Sequence, residues 1–327
     1  MTICAIVNPQ SRGGKTAKHW SQLHLKLREK LGDVEVRFSE RPNHATELTR
    51  RALQEGFETI IAVGGDGTFN EVINGFFIAD EPINKNAVLA LLPHGTGGDF
   101  RRTFEIPDDV DGAIDHIVNA KPRPLDIGKL NYVAHDGSNQ TRFFNNICSF
   151  GMSGKVDQAV NRSKVARLFG TKFTFLWHTF VTALTYKNQP CRVRITELSG
   201  CDVQSDDDGS NEQESYDKEL NVNVVAIANG QYFGSGLKVA PDARPDDGIF
   251  DVVIMPDISA KDMLTGAVSM NDGSHLTDAR VEIVRGGRVR AEPLNPSEEV
   301  LIDLDGEAPG RLPATFEIIP GALLIKA

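Results

Sequence analysis

The stretch TIIAVGGDGTFNEVINGFF, residues 59–77, decides the fold class of the chain. An apolar strand pattern at 59–63 ends in a glycine-rich loop at 64–68, and a helix pattern at 69–77 follows directly. The apolar residues of that helix recur at i, i+3, i+4, i+7 and i+8. Closely spaced glycines allow positive φ and bring backbone N–H groups near a ligand, while the start of a helix favours negative charge. The stretch therefore predicts a phosphate-binding loop in an α/β domain.

Asp66 is the unusual residue of this loop. A carboxylate beside a phosphate is repelled unless a cation lies between them or the carboxylate binds a donor. We therefore expect Asp66 to hold Mg²⁺ or to accept a hydrogen bond from a substrate hydroxyl. An ordinary strand-to-helix turn with Asp66 as N-cap is the alternative. The spacing matches neither GxGxxG nor GxxxxGK[ST], so the pattern alone leaves both interpretations open.

Two further glycine loops occur in the first 125 residues: NPQSRGGK at 8–15 and LPHGTGGDFRRTF at 92–104. Strand patterns alternate here with helix patterns, which predicts a parallel sheet with its loops at one edge. The expected strands are 4–7, 34–38, 59–63 and 87–92, and the expected helices are 20–31, 45–54 and 69–77.

Residues 126–327 have a different pattern, with short strands punctuated by Gly, Asn and Asp. Strands are expected at 192–198, 220–229, 250–255 and 300–306, which indicates a mostly antiparallel, sandwich-like second domain. The polar, acidic segment 199–219 is expected to be a mobile hairpin loop, with metal binding by its Asp run as a minor alternative.

Composition excludes several classes of protein. The 327 residues suggest two domains, and 35 Lys and Arg against 45 Asp and Glu give a net charge of −10. This acidity disfavours nucleic-acid binding. Four dispersed cysteines without a CxxC pair favour a reducing compartment, so we expect a cytoplasmic protein. The best membrane candidate, 173–186, is uncharged for only fourteen residues where a span needs about 20.

The segment LIDLDGE, 301–307, carries three carboxylates with strand spacing. If the strand continues, Asp303, Asp305 and Glu307 share one face. Their repulsion would raise the pKa of at least one of them, as suits a general base. A solvated strand face is the alternative.

The three glycine loops resemble, in this order, the N-terminal motifs of the diacylglycerol kinase catalytic-domain superfamily, which includes bacterial diacylglycerol kinase-like lipid kinases, sphingosine kinases and ceramide kinases. The resemblance continues through segments 124–129, 143–157, 229–252 and 301–307. It implies a Rossmann-like domain of the NAD kinase and phosphofructokinase type at 1–125 and a β-sandwich-like domain at 126–327. Between them, ATP with Mg²⁺ would phosphorylate a lipid hydroxyl, that of diacylglycerol or a related lipid.

The resemblance also implies roles for individual residues. The base would be Asp305, and the substrate contacts Asp99 and Asp157. The catalytic Mg²⁺ would involve Asp66 and Asp126, and a structural Mg²⁺ would involve Asp247 with carbonyls of Arg244 and Ile249. The nucleotide site would comprise Asn8, Lys15, Ser39, Gly65, Asp66, Gly67, Thr68, Glu71, Thr96, Arg167, Lys172 and Glu307.

One departure and several alternatives accompany the resemblance. Gly98 stands where the third motif usually has Asn, which removes a side-chain amide. The expected partner is a lipid at a membrane surface, reached peripherally through a basic patch of Arg162, Lys164, Arg167 and Lys172. A homodimer is left open. A NAD kinase-like or sugar kinase shares GGDGT, but the later motifs disfavour it; a nucleotide-binding regulatory protein without turnover is the other alternative.

Overall fold

A computed structural model describes residues 2–162, 181–182, 185–198, 216–256 and 269–327. The described residues do not include Lys164, Arg167 and Lys172, most of the membrane candidate 173–186, or residues 199–215. Arg162 ends a helix. None of the described helices is long and apolar enough to cross a bilayer.

The N-terminal half forms the expected parallel sheet. Its strands are β1 (Ile3–Val7), β2 (Val34–Phe38), β3 (Thr59–Gly64) and β6 (Val88–Pro93), with a small hairpin of β4 (Phe77–Ile78) and β5 (Glu81–Pro82). The helices are α1 (Ser11–Leu31), α2 (His44–Gln54), α3 (Asp66–Gly75), α4 (Asp99–Thr103) and α5 (Val110–Asn119). The strand order β2–β1–β3–β6 places the topological switch between β1 and β3.

The continuous apolar runs form strands because helices cover both faces of this sheet. One face packs on α2 and α3 through a core that includes Leu48, Phe69 and Phe76. The other face packs on α1 and α5 through Leu27 and Ile114. The confirmed parallel arrangement brings all the loops that follow these strands to one edge.

Two helix boundaries differ from the sequence prediction. The helix expected at 69–77 begins at Asp66 and ends at Gly75, because Phe77 pairs with Pro82 in the small hairpin. The helix expected at 20–31 reaches back to Ser11, although Arg12 and the two glycines after it have left-handed φ.

The C-terminal half is mostly antiparallel. Its elements are β7 (Pro122–Ala134), β8 (Asn139–Phe144), β9 (Ile147–Gly151), α6 (Met152–Arg162), β10 (Gln189–Leu198), β11 (Tyr216–Ala228), β12 (Tyr232–Phe233), β13 (Leu237–Lys238), β14 (Phe250–Pro256), a 3₁₀ turn (Ser274–Thr277), β15 (Glu282–Pro293), β16 (Ile302–Leu304) and β17 (Gly310–Lys326). Aromatic and β-branched residues such as Phe150, Val225 and Phe316 fill its core.

The acidic segment is shorter than predicted. Residues 216–219, assigned to a loop at 199–219, belong to β11 and pair with residues 192–195 of β10. Asp217 forms ion pairs with Arg192 and Arg194 across this pairing. The cross-strand arginines give these polar residues partners that the segment's composition alone does not reveal.

The strand β17 joins the two halves into one sheet. It pairs antiparallel with β7 and β15, and its last residues pair parallel with β6, where Leu324 lies opposite Val88. Leu323 and Ile325 are buried in the N-terminal core. The edge that carries the glycine loops is thereby held against the C-terminal half.

Candidate active site

Three glycine loops meet at the carboxyl edge of the parallel sheet, at its topological switch. The Asn8 amide donates to Thr68 Oγ1 at 2.9 Å, which joins the first loop to the start of α3. Arg12 Nε donates to the Gly95 carbonyl at 3.2 Å, and the His94 amide donates to the Gly64 carbonyl at 2.7 Å. The convergence expected from the sequence is therefore present.

The first two glycines of the GGDGT loop, Gly64 and Gly65, serve close packing rather than positive φ. Gly65 has φ −100° and Gly67 lies within α3, so the expected left-handed conformation is wrong for this loop. A Cβ on Gly95 would lie 2.3 Å from Gly65 Cα, a distance that no side chain permits. The positive φ angles occur instead in the first loop, at Arg12, Gly13 and Gly14, and in the third loop, at Gly98.

Asp66 accepts hydrogen bonds from backbone amides at the start of α4. The donors are the N–H groups of Gly98 at 2.7 Å, Asp99 at 3.2 Å and Phe100 at 3.3 Å. Asp66 thus caps a different helix from its own, an arrangement that neither interpretation of the sequence contained. Within the described part of the chain, its Oδ1 accepts only the Phe100 bond, so one lone pair is left. Because Mg²⁺ beside substrate phosphates takes one or two protein carboxylates, Asp66 fits that metal.

Asp99 joins the third loop to the C-terminal half. It is buried, and its carboxylate accepts from the Ser235 amide at 2.8 Å and from Arg102 at 2.7 Å. Burial, together with the charge of Asp66, raises the pKa of Asp99 to about 6. The predicted substrate contact by Asp99 is not tested by these bonds.

Asp305 occupies a turn at the junction of the two halves. Its Oδ2 accepts from Asn70 Nδ2 at 2.8 Å and its Oδ1 from the Ile147 amide at 3.1 Å. Burial raises the pKa of Asp305 to about 7, although these hydrogen bonds act in the opposite direction. A carboxyl group that titrates near neutral pH suits general base catalysis.

The three carboxylates of LIDLDGE do not share a face, contrary to the prediction. The strand β16 ends at Leu304, and reciprocal backbone bonds between Leu304 and Glu307 close a turn in which Asp305 has φ 48°. Asp303 accepts from Ser149 Oγ at 3.0 Å and from the Gly306 amide at 2.9 Å. Glu307 instead binds Arg142. The glycine at 306, with φ 87°, permits this tight turn.

Asn70 and Arg142 belong to this cluster and were missed in the sequence. Asn70 donates to Asp305 and to the Phe143 carbonyl at 3.1 Å, while its Oδ1 accepts from Arg142 at 3.1 Å. Arg142 also donates to Glu307 at 2.6 Å. A usable signal was present: Asn70 and Asn74 repeat at i, i+4 on a helix whose other face is apolar.

Asp157 and Asp303 form a buried carboxyl pair behind the turn. Burial, with the nearby charge of Asp303, raises the pKa of Asp157 well above its usual value, which favours a hydrogen bond in which Asp157 donates to Asp303. Asp157 Oδ2 is buried and has no hydrogen-bond partner among the described residues. The predicted substrate contact by Asp157 stays a prediction.

Of the predicted metal residues of the C-terminal half, Asp126 lies on β7 and the others lie on the loop before β14. Asp126 accepts from the amides of Gly248 at 2.7 Å and Gly321 at 2.6 Å, and burial raises its pKa. Among the described residues no hydrogen bond joins Asp126 to Asp66, so their network stays a prediction.

The residues predicted to hold a structural Mg²⁺, Asp247 and its neighbours, contact other groups in this structure, and the metal stays a prediction. The Asp247 carboxylate is bound by the Arg285 guanidinium and accepts weakly, at 3.4 Å, from the amide of Ile249. Arg244 lies on the same loop. Within the described ranges no group of three or more acidic, His or Cys side chains could hold a metal. We therefore derive no role for a second metal.

The other predicted nucleotide residues are distributed around the three loops. Ser39 follows β2, is buried, and donates its amide to the Val7 carbonyl at 2.9 Å. Glu71 accepts from the Ala45 amide at 3.1 Å, and burial raises its pKa. Lys15, Gly67 and Thr96 are exposed on the first, second and third loops.

Comparison with known families follows the division between the two halves. Residues 2–130 match the diacylglycerol kinase catalytic domain, and residues 146–327 match the YegS C-terminal NAD kinase beta sandwich-like domain. The chain belongs to the diacylglycerol kinase family. As a member of this family, it is a kinase that uses ATP to phosphorylate an alcohol group.

Related kinases cover almost the whole chain. A diacylglycerol kinase of Bacillus subtilis (strain 168) is 28% identical over 312 residues, 95% of this chain and 91% of the relative. One of Staphylococcus carnosus (strain TM300) is 29% identical over 313 residues, 95% of this chain and 90% of the relative.

A solved structure of the kinase family shares the fold. The crystal structure of a diacylglycerol kinase from Bacillus anthracis str. Sterne has a TM-score of 0.65 at 19% identity, covering 99% of this chain and 96% of its own. A second crystal structure from the same organism reaches a TM-score of 0.73 at 22% identity, with 99% and 94% covered. These similarities confirm an α/β domain followed by a β-sandwich-like domain.

Proposed function

We propose that the protein is a Mg²⁺-dependent lipid kinase that transfers the γ-phosphoryl group of ATP to a hydroxyl of diacylglycerol or a closely related lipid, with Asp305 as general base. The observation that carries the proposal is the environment of Asp305. Its carboxyl group lies where the two halves meet, is held by Asn70 and the Ile147 amide, and has a pKa raised to about 7.

Phosphoryl transfer depends mainly on positioning and on stabilising charge. In the proposed mechanism the glycine loops bind the phosphates through backbone N–H groups, and Arg12 adds a cation at the same edge. Bound Mg²⁺, held in part by Asp66, would neutralise charge on the phosphates. Asp305 accepts the proton of the attacking hydroxyl, and Asn70 with the Ile147 amide fixes the carboxylate for that transfer.

The choice of a lipid acceptor rests on the relatives, which are named diacylglycerol kinases. A lipid acceptor requires the enzyme to work at a membrane surface, and we propose a peripheral contact. The basic residues predicted for this contact, Lys164, Arg167 and Lys172, lie outside the described residues. A membrane contact through the segment that follows α6 is therefore a proposal from sequence.

The test is a transfer assay with labelled ATP, Mg²⁺ and one acceptor at a time. The acceptors are dioleoylglycerol, ceramide and sphingosine in mixed phosphatidylglycerol vesicles, with NAD and fructose 6-phosphate as soluble acceptors. We expect label in the product with dioleoylglycerol, and loss of transfer on chelation of Mg²⁺. Transfer to NAD or the sugar instead would replace the proposal with a soluble-acceptor kinase. ATP binding without transfer to any acceptor would indicate a regulatory protein.

A further inference from the structure

A cationic cleft lies beside the second and third glycine loops. Its volume is about 280 Å³, and backbone segments 64–66 and 95–98 form much of its wall. The side chains of Arg12, Arg101 and Arg102 also line it, together with Asp66 and Asp108. The family resemblance assigned no role to Arg101.

Arg101 occupies the space left by the missing side chain of Gly98. Gly98 has φ 70°, and a Cβ on this residue would lie 2.8 Å from Arg101 Nε and 3.2 Å from its Cδ. A larger residue at position 98 would therefore displace the Arg101 side chain. The glycine and the arginine form one structural unit at the wall of the cleft.

The cations of the cleft differ in how far they are neutralised. Arg102 binds the buried Asp99 carboxylate at 2.7 Å, so its charge has a local partner. Arg101 binds the Ile106 carbonyl and Asp108, each at 3.2 Å, but the Asp108 side chain is 62% exposed. The Arg101 side chain is only 18% exposed, so solvent screens this pair from the Asp108 side. An incoming anion that offers Arg101 the same charge can therefore replace Asp108.

Asp66 forms no ion pair with Arg12 or Arg101 among the described residues; its carboxylate instead accepts three backbone N–H bonds at the start of α4. Guanidinium groups recognise phosphate oxygens through paired N–H donors. The cleft therefore combines two cations, Arg12 and Arg101, with the backbone of the glycine loops, which is the chemistry of a phosphate subsite.

We propose that Arg101 is a phosphate-binding residue of this kinase, that it contacts the phosphate chain of ATP together with Arg12, and that it holds this position because residue 98 is glycine. The inference rests on the proposed function, since it uses the same ATP. It extends that function by assigning a binding role to Arg101, for which the family resemblance gives none. It also gives a reason for Gly98, which stands where the motif usually has Asn.

The experiment measures ATP affinity by calorimetry in the full chain, alongside KM for ATP and for dioleoylglycerol. Arg101→Gln should weaken ATP binding by about tenfold to hundredfold, the effect of one charged hydrogen-bond group. Arg101→Lys should recover part of this loss, and KM for the lipid should change less than about threefold. Arg290→Gln, a variant of an exposed arginine on β15, is the matched control and should bind ATP normally.

Two further variants test the coupling to Gly98. Gly98→Asn should weaken ATP binding as Arg101→Gln does, because the new side chain displaces the guanidinium. The double variant should be no weaker than the worse single variant, since both remove the same contact. Asp108→Asn should strengthen ATP binding, because it removes the competing anion.

The outcomes separate this inference from the proposed function. Wild-type protein that fails to bind ATP would defeat the proposed function. Normal ATP binding by folded Arg101→Gln would defeat only the role of Arg101, and fully additive losses in the double variant would defeat its dependence on Gly98. Equal losses for ATP and lipid in Arg101→Gln, with a lowered melting temperature, would make Arg101 a structural residue.

Discussion

Two turns of this protein each place an aspartate just beyond the end of a strand, and the surroundings make them different groups. Asp66, after β3, is bound by three backbone amides at the start of α4. Asp305, after β16, is half-buried at the junction of the halves, and this burial raises its pKa to about 7. Backbone donors stabilise a carboxylate as an anion, whereas burial favours the protonated form.

This contrast gives the two aspartates different roles, Asp66 in binding and Asp305 in proton transfer. A carboxylate held by backbone N–H groups suits a metal and a fixed loop, whereas a carboxyl group that gains and loses a proton near neutral pH suits a base. The two are linked through α3, which begins at Asp66 and carries Asn70, the donor to Asp305, one turn later. The comparison predicts that substitutions around Asp305 alter the rate of transfer and its pH dependence. Substitutions in the glycine loops around Asp66 should instead alter packing and ATP affinity.

The largest effect is expected for Asp305→Asn. Asn is nearly isosteric but cannot accept a proton near neutral pH, so turnover should fall about 10² to 10⁴-fold while ATP affinity is kept. Turnover of the wild-type enzyme should rise with pH through about 7, as Asp305 loses its proton. Initial rates measured between pH 5.5 and 8.5, roughly one and a half pH units either side of that pKa, check the pH dependence. Calorimetry checks the ATP affinity.

The control for this variant is Asp303→Asn in the same turn. Asn at position 303 still accepts the Gly306 amide, so turnover should fall less than about tenfold. If saturating Mg²⁺ restores Asp305→Asn, Asp305 acts on the metal rather than as the base. If Asp303→Asn is the inactive variant, the assignment of the base is wrong.

Next in size is Gly95→Ala in the third loop. The added methyl group would meet Gly65 Cα at 2.3 Å, so the two loops must separate, at a cost of about 1–3 kcal/mol in the free energy of unfolding. ATP affinity should fall with it. The matched variant is Gly67→Ala, whose Cβ would have no neighbour within 4 Å and which lies within a helix. Denaturant unfolding should find Gly67→Ala at least as stable as wild type; equal losses in both variants would refute the packing argument.

A smaller effect is expected for Asn70→Ala, which tests the hydrogen bond from helix α3 to Asp305. The Asn70 bond lowers the pKa of Asp305, so its loss should raise that pKa and shift the acidic limb of the rate profile to higher pH. A hydrogen bond to a charged group contributes about 1.5–3 kcal/mol, which corresponds to a shift of about one to two pH units.

Asn74→Ala is the matched control for Asn70→Ala. Asn74 also bonds to the Phe143 carbonyl, but its described hydrogen bonds do not include Asp305. The acidic limb should therefore stay in place. An equal shift in the two variants would show that the helix, and not the Asn70 contact, sets the pKa.

The smallest effect is expected for Asp157→Asn. Because burial raises the pKa of Asp157 and favours its protonated form, a neutral amide can replace it as the donor to Asp303, and the free energy of unfolding should change by less than about 0.5 kcal/mol. Asp157→Ala should cost about 1–3 kcal/mol, since it leaves Asp303 without that donor. Equal destabilisation by both substitutions, measured by urea unfolding, would contradict a shared proton.

The sequence predicts the glycine loops far better than the turn that carries Asp305. Strand 34–38 and the convergence of the glycine loops follow from local periodicity, which needs no knowledge of distant residues. The acceptor role of Asp66 depends on amides at 98–100, and Asn70 meets Asp305 only because the halves pack together. Strand spacing failed at 303–307 because Gly306 permits a turn that periodicity does not encode.

The pairing of β17 with β6 has a consequence for how the protein is made. The glycine-loop half leaves the ribosome first, but its sheet is completed by residues translated long after it. Until they arrive, β6 presents an unpaired edge of the kind that recruits other chains. Domains usually mature in the order of their synthesis. Here the nucleotide-binding half is synthesised before β17, so the outer edge of strand β6 stays unpaired until the second half has been translated.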